Sequence, residues 1–516
     1  MLINTWLNKL QFCLVTRGSQ LVIEKEEVQL WQHHLWSLTR IFAAEQSNYQ
    51  VMLLDLDAKK ELKKQAKNIL HEIQQFKKEE NHIAYRADKR YVMRLIKYSV
   101  LDKIAKWTAP EAALITGGLG ALGLEVAKYL VTQGCHYLLL IGSTVLPNRS
   151  VWSNQQPCSL QEKINGIINL ESMGAIVVYA AIDAADKTQM QTVIGQTEQQ
   201  WKKTINGIFH LAGVTTDSIT IDKMSGQMLQ QVLSAKAQGA LVLHELFNRA
   251  DLHCFVLFSS IAALPYFGMN GLSAYGMANA FLDGLASLRR SQGLKGTSIN
   301  WAAWAEKGMS FRHNHGAFLE AVGMSPLSVS QGMEILNYLL ATSAGNVNVF
   351  KVIWHKFLQI NPEARKIAFF THFSNQYAPH IETEQRNQSK IANNYYNQEQ
   401  TTRIVIDTFA QLLDLRVNEI DHDLPFQHYG LDSIIGINFV AVLEEYFPNV
   451  ISPMDLYRYP TIKQLVGYLC SPSESMLSYE LSHQEDKPIE DFSHLTDAQV
   501  SKLIEDEILE VHNLIG

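Results

Sequence analysis

The stretch "ALITGGLGALGLEVAKYLV" at residues 112–130 constrains this chain more than any other. Its apolar start, Ala112-Ala113-Leu114-Ile115, reads as a buried strand, and Leu122, Val126 and Leu130 fall at helical spacing. The glycines therefore sit at a strand-to-helix turn. Gly117, Gly118, Gly120 and Gly123 would let that turn approach a pyrophosphate closely, while the new helix offers its free N–H groups to the charge. On its own such a turn is equally well a tight connection with no ligand, so the reading depends on the residues that the rest of the chain brings to it.

A chain of 516 residues exceeds one core and predicts two to four domains at roughly 150 residues each. A net charge of −7 gives no electrostatic reason to expect nucleic acid. Cys13, Cys135, Cys158, Cys254 and Cys470 are scattered without a CxxC pair, so neither a metal site nor a disulfide framework is indicated. No stretch approaches the roughly 18 apolar residues of a membrane span. The expectation is a soluble, cytoplasmic protein without membrane partners.

Composition shifts twice along the chain. Residues 375–400 are polar and rich in Asn and Gln, and 471–490 are polar again, so both read as linkers. The blocks they separate are 1–374, 401–470 and 491–516. Within the first, strand-like runs at 137–142, 175–181, 207–213, 254–260 and 296–304 alternate with helix-length segments. That alternation predicts an α/β fold, a Rossmann-like doubly wound parallel sheet with the glycine turn after its first strand, binding ligands at the strands' C-terminal ends.

Chemistry is expected at those ends. The strand "CFVLFSS" delivers Ser260 to the rim, and "SAYGMANAFLDGLASL" reads as a helix with Tyr275 and Asn279 four residues apart on one face. Upstream, the helix "LSAKAQGALVLHEL" brings Lys236. A Tyr hydroxyl can protonate a developing alkoxide if a neighbouring Lys cation lowers its pKa and if Ser and Asn position the carbonyl and a relay water. Singly, these residues read as a helix cap, packing residues and a surface charge; as a set behind a glycine turn they point to hydride transfer.

The segments "TGGLGALGLEVAKYL", "GIFHLAGV", "AKAQGALVLHEL", "FSS…YGMANAFLDGLA" and "INWAAWAEKGM" together resemble the ketoreductase domain of modular polyketide synthases, a branch of the short-chain dehydrogenases. The family's Lys-to-Ser and Tyr-to-Asn intervals match Lys236, Ser260, Tyr275 and Asn279 as the catalytic set. The resemblance implies NADPH held by Thr116, Gly117, Gly118, Leu119, Gly120, Leu122, Gly123, Ser143, Asp183, Ala212 and Gly213. Residues 1–107 are similar to the family's noncatalytic structural subdomain without its first half, leaving 108–374 as the catalytic part.

The sequence departs from the family in three places. Ser260 and Tyr275 are 15 residues apart, two more than the family's usual interval, and Ala262 at that interval cannot substitute. The Ser-Arg pair that the family places after the second strand for the 2′-phosphate is replaced by Gly142 and Ser143. Of the Leu-Asp-Asp motif of one stereochemical class only the last residue survives in Thr215-Thr216-Asp217, which leans toward a D-configured hydroxyl.

The segment "PFQHYGLDSIIGINFVAVLEEYF" at 425–447 enters a helix whose Ile434, Ile437, Val440 and Leu443 keep helical spacing. Ser433 at its start has the bland reading of an N-cap. Together with "TTRIVIDTFAQLLDL" and "ISPMDLYRYPTIKQLVGYL", however, this segment resembles an acyl carrier protein, a small all-α four-helix bundle, which implies 4′-phosphopantetheine on Ser433 and a phosphopantetheinyl transferase as partner. A tethered thioester raises the local substrate concentration. The resemblance thus implies the back half of a synthase module that reduces a β-ketoacyl thioester during secondary-metabolite biosynthesis. The alternative is a carrier and interaction scaffold with an inactive reductase fold.

The last block, 491–516, holds a capping-box pattern at Thr496 and Gln499, then Val500, Leu503, Ile504 and Ile508 as an apolar stripe beside Glu505, Asp506, Glu507 and Glu510. It resembles the C-terminal docking elements that join synthase subunits, which implies upstream and downstream subunits as partners; the alternative is a stripe folded back onto the chain.

Overall fold

The computed structural model describes residues 2–470 apart from 5–9, 24–25, 46–48, 99–106, 154–156, 215–218, 268–271, 306–318, 320–322, 343, 378–396, 414, 430, 432, 448–449 and 452–454. The second expected linker and the expected docking element lie outside the described residues.

Two sheets are built in sequence. The first has the order β1 (Leu2–Asn4), β2 (Leu10–Arg17), β3 (Tyr49–Leu56), β4 (His82–Arg86), β5 (Lys89–Val92), with β2, β3 and β4 parallel and an antiparallel strand at each edge. Helices α1 (Leu30–His33), α2 (Leu35–Glu45) and α3 (Leu62–Gln74) accompany it.

The second sheet comprises β6 (Ala112–Thr116), β7 (Tyr137–Gly142), β8 (Ile176–Ala181), β9 (Gly207–His210), β10 (Cys254–Ser260) and β11 (Thr297–Trp301). After β12 (Met324–Ser325), which belongs to a small separate sheet, β13 (Asn346–Val349) completes it. Its order is β13-β11-β10-β9-β6-β7-β8, and all neighbours are parallel. The order reverses at β6, so the crevice between the C-terminal ends of β6 and β9 is the switch point where such sheets bind ligands.

The strands are apolar throughout because helices cover both faces. On one face α4 (Ala121–Thr132), α5 (Cys158–Ser172) and α10 (Val329–Thr342) bury Val126, Leu130, Ile167 and Leu336. On the other, α6 (Lys187–Trp201), α7 (Gly226–Leu233), α8 (Gly239–Leu246) and α9 (Ser273–Ser291) gather around a core that includes Ile194, Leu243, Phe281 and Leu285. The sequence reading is borne out in sheet type and in the place of the glycine turn. It overextends two strands, since β9 stops at His210 and β11 at Trp301, and it omits β13.

The first unit braces the second. Helices α1 and α2 both pack along α9: a Cβ at Gly276 would lie 2.6 Å from Ile41 Cδ1 of α2, and one at Gly284 would meet His33 of α1 at 2.9 Å. Arg40 donates to the Ala263 carbonyl at 3.0 Å, tying α2 to the loop after β10.

Among the described residues of 398–470 are the α-helices Gln398–Leu413, Ser433–Tyr446, Asp455–Arg458 and Ile462–Cys470. They close on Phe409, Phe426, Phe439 and Leu465. The first helix begins inside the expected 375–400 linker, and residues 371–377 are helical as well, so that linker is shorter than composition predicts. Among the described residues no helix is long and apolar enough to cross a membrane.

Candidate functional site

The glycine turn follows β6 directly. Gly117 has φ of +66°, a backbone conformation that favours glycine, and a Cβ at Gly123 would lie 2.2 Å from the Gly117 carbonyl oxygen. A Cβ at Gly118 would lie 2.8 Å from Leu140 Cβ. Helix α4 starts from Gly120 with no side chain capping its first N–H groups. A close backbone approach and uncapped donors at a helix start together suit a phosphate. The side chain of Leu119 is buried in the apolar core, and that of Leu122 packs partly buried against it.

Thr116 is fully buried and bridges to the other side of the crevice. His210 Nε2 lies 2.8 Å from the Lys236 carbonyl oxygen, which can only accept, so Nε2 carries the proton. Burial pushes His210 down to about 3, leaving the ring neutral, and its Nδ1 accepts from the Thr116 hydroxyl at 2.7 Å. The same hydroxyl accepts from the Ala212 N–H at 3.3 Å. Gly213 is needed alongside, because a Cβ there would lie 2.8 Å from Lys236 Cε. Ser143 and Asp183 are exposed just after β7 and β8, and Asp183 accepts from the Ala185 N–H at 2.9 Å.

The structure brings the four expected catalytic residues together. Ser260 ends β10 and its Oγ accepts from the Ala262 N–H at 3.2 Å, so it is also the helix cap of the bland reading. Tyr275 and Asn279 lie one turn apart on α9, with Asn279 Nδ2 donating to the Tyr275 carbonyl at 2.7 Å. Lys236 is buried; its ammonium donates to the Phe258 carbonyl at 2.8 Å and stands 5.8 Å from the centre of the Tyr275 ring.

Two details were not expected. Lys236 does not sit in a regular α-helix but in a π-helical turn, Ser234–Gln238, between α7 and α8. Such turns widen a helix locally and recur at functional sites. Asn279 Oδ1 is buried with no partner among the described residues. A buried acceptor left open at a site points to a missing hydrogen-bond donor such as water.

Burial raises the Tyr275 pKa above the usual tyrosine value, and hydrogen bonds from Ser260 and Asn279 oppose the rise. Burial also lowers Lys236 to about 8, with Asp283 opposing. Asp283, one turn beyond Asn279, accepts from the Ser298 hydroxyl at 2.5 Å, and burial pushes its carboxyl up to about 6. Asp283 escaped the sequence reading, although its spacing of four from Asn279 was the available signal.

The longer segment between Ser260 and α9 is anchored outward. Tyr266, at φ of +64°, packs against His82, Phe369 and Phe370, and Phe267 against Phe350, Phe357 and Phe370. Asp217, with the stereochemical motif, lies outside the described residues. Ser433 is the first residue of its helix.

Comparisons with known proteins fit this arrangement. Residues 112–306 match the KR domain family and residues 403–469 the phosphopantetheine attachment site family. The chain is 31% identical over 360 residues to a 6-methylsalicylic acid synthase of Aspergillus niger, covering 69% of this chain and 20% of the relative. It is 29% identical over 410 residues to the polyketide synthase PksL of Bacillus subtilis, covering 77% of this chain and 8% of the relative. The chain therefore spans a fifth or less of these relatives' length. Among solved structures, a ketoreductase from the first module of phoslactomycin biosynthesis in a Streptomyces species is similar with TM-score 0.60 and 27% identity, over 70% of this chain and 80% of that one. An A-type ketoreductase from a modular polyketide synthase is similar with TM-score 0.61 and 26% identity, over 70% of this chain and 72% of the other. The chain accordingly carries a ketoreductase domain of the polyketide synthase kind, followed by a phosphopantetheine-attachment carrier domain.

Proposed function

We propose that the chain reduces a β-ketoacyl thioester, carried on 4′-phosphopantetheine at Ser433, to the β-hydroxyacyl thioester, with NADPH as reductant, as a step of polyketide assembly. The convergence of Ser260, Tyr275, Lys236 and Asn279 beside an uncapped glycine cradle carries this reading. The cradle suits a dinucleotide because Gly123 lets α4 close tightly on the Gly117 turn and no side chain caps the first N–H groups of that helix. The turn Thr116–Gly123, with Ser143, Asp183, Ala212 and Gly213, would hold the cofactor, which supplies a hydride to the carbonyl carbon.

The chain's own residues handle the proton. Ser260 orients the ketone oxygen, and Tyr275 Oη gives its proton to that oxygen as negative charge develops. A phenol kept above its usual pKa by burial remains protonated at neutral pH and is available as the acid. The Lys236 ammonium stabilises the tyrosinate left behind, and Asn279, through its open Oδ1, holds the water that returns a proton.

Mixing the full chain with NADPH and a simple β-ketothioester, while following cofactor absorbance, tests the reaction; no consumption would favour the inert scaffold. Coenzyme A and a broad phosphopantetheinyl transferase should add the mass of one arm, and Ser433→Ala should abolish the addition. The docking role of 491–516 is part of the same proposal: deletion should spare both reactions and weaken transfer to a downstream subunit.

A further inference from the structure

The strand end that ordinarily selects between the two nicotinamide dinucleotides lacks its usual arginine, having Gly142 and Ser143 in those places. In sheets of this type the end of the second strand faces the adenosine ribose. A carboxylate there binds a free 2′-hydroxyl, whereas a cation nearby accommodates a 2′-phosphate. The segment Gly142-Ser143-Thr144-Val145-Leu146-Pro147-Asn148 contains no carboxylate, so nothing in it selects the unphosphorylated form.

A cation reaches this place from elsewhere in the chain. Lys163, half-buried in the second turn of α5, donates from Nζ to Thr144 Oγ1 at 2.6 Å. Thr144 is pinned from the other side by Tyr179, whose hydroxyl donates to the Thr144 carbonyl at 2.5 Å. The loop and the ammonium are thus fixed against each other, and the bond to Thr144 uses one of the three donors of a lysine. Arg149, the nearest arginine in sequence, is committed elsewhere. Its guanidinium makes two bonds to Glu171, at 2.7 and 3.1 Å, and lies 4.7 Å from the Trp152 ring centre.

We propose that Lys163, together with the Ser143 and Thr144 hydroxyls, forms the subsite for the 2′-phosphate of a phosphorylated dinucleotide, so that the specifying cation comes from helix α5 rather than from the strand end. The inference rests on the dinucleotide reading of the glycine turn. Such a subsite lets a chain without the strand-end arginine prefer NADPH.

Equilibrium binding to the full chain tests it, with NADPH and NADH as probes read by cofactor fluorescence, and with 2′,5′-ADP and 5′-ADP as competitors. Lys163→Ala and Lys163→Gln should weaken NADPH and 2′,5′-ADP by about tenfold or more while leaving NADH and 5′-ADP unchanged, and Lys163→Arg should restore most of the loss. Added salt should weaken NADPH more than NADH in the wild type and equally in Lys163→Ala. Equal weakening of both dinucleotides, or no weakening of NADPH, would overturn the Lys163 subsite with the dinucleotide site intact. If the wild type bound neither dinucleotide, the reading of the glycine turn would fall first and the subsite with it.

Discussion

The two sheets of the reductase region begin alike and end differently. Each runs from a parallel strand into a turn with a glycine at positive φ, Gly18 at +62° after β2 and Gly117 at +66° after β6. In the first, the Asp55 carboxylate from the end of β3 takes the Ser19 N–H at 2.9 Å, the Gln20 N–H at 3.1 Å and the Thr16 hydroxyl at 2.7 Å. Arg86 then neutralises it at 2.6 Å and is shared with Glu26. The place where an anion would sit is filled from within. In the second, the Gly118 N–H donates to the Ile141 carbonyl at 3.1 Å, no side chain caps the helix that follows, and the Thr116 hydroxyl donates to His210. One strand–turn unit therefore serves stability and the other a ligand, and the difference lies in a carboxylate from the adjacent strand rather than in the turn.

That contrast is sharpened most by removing the group assigned to chemistry alone. Tyr275→Phe should lower turnover by about two orders of magnitude or more with unchanged dinucleotide affinity and thermal midpoint, measured by cofactor oxidation and calorimetry. Full activity would remove Tyr275 from the mechanism. On the other side, Asp55→Ala strands the buried Arg86 beside Glu26 alone and opens three donors, and should cost about 3–5 kcal/mol in denaturant unfolding. An unchanged midpoint would mean the internal carboxylate is not structural. The smallest effect is on pH dependence. With Lys236 lowered to about 8, its cation is present below that pH and lost above it, so turnover should decline as pH rises through about 8. Lys236→Met should be slow at every pH and lack that limb; retention of the limb would assign it to another group.

What the sequence revealed is local, and what it withheld is long-range. The strand delivering Ser260 and the i, i+4 pair of Tyr275 and Asn279 lie within single elements, and the glycine turn joins two neighbouring ones, so periodicity and spacing speak directly. The Thr116–His210–Lys236 bridge joins residues 94 and 26 positions apart, and nothing about His210 in "GIFHLAG" distinguishes it from a packed core histidine. Asp55 likewise reads as the polar end of a strand until β4 brings Arg86 beside it. Lys163 looks like a solvated helix charge, because its meeting with Thr144 depends on where α5 crosses the end of β7. The short strand β13 was missed because four residues with alternating burial, Asn346–Val349, carry too little pattern to stand apart from a loop.

The π-helical turn around Lys236 makes chain length itself a determinant of the site. Residues 226–246 run as one helical path in which Ser234–Gln238 holds a wider repeat than its flanks. Each residue of an α-helix advances about 100° around the axis. A π-helical turn takes up about one extra residue while its flanks keep their phase, so loss of one residue would let the regular repeat close and re-aim the residues of the turn itself by about that angle. The lysine would then face away from Phe258 and Tyr275 although every named side chain were still present. Its aim is therefore a phase relation, and an insertion or deletion between 226 and 246 is a change of stereochemistry.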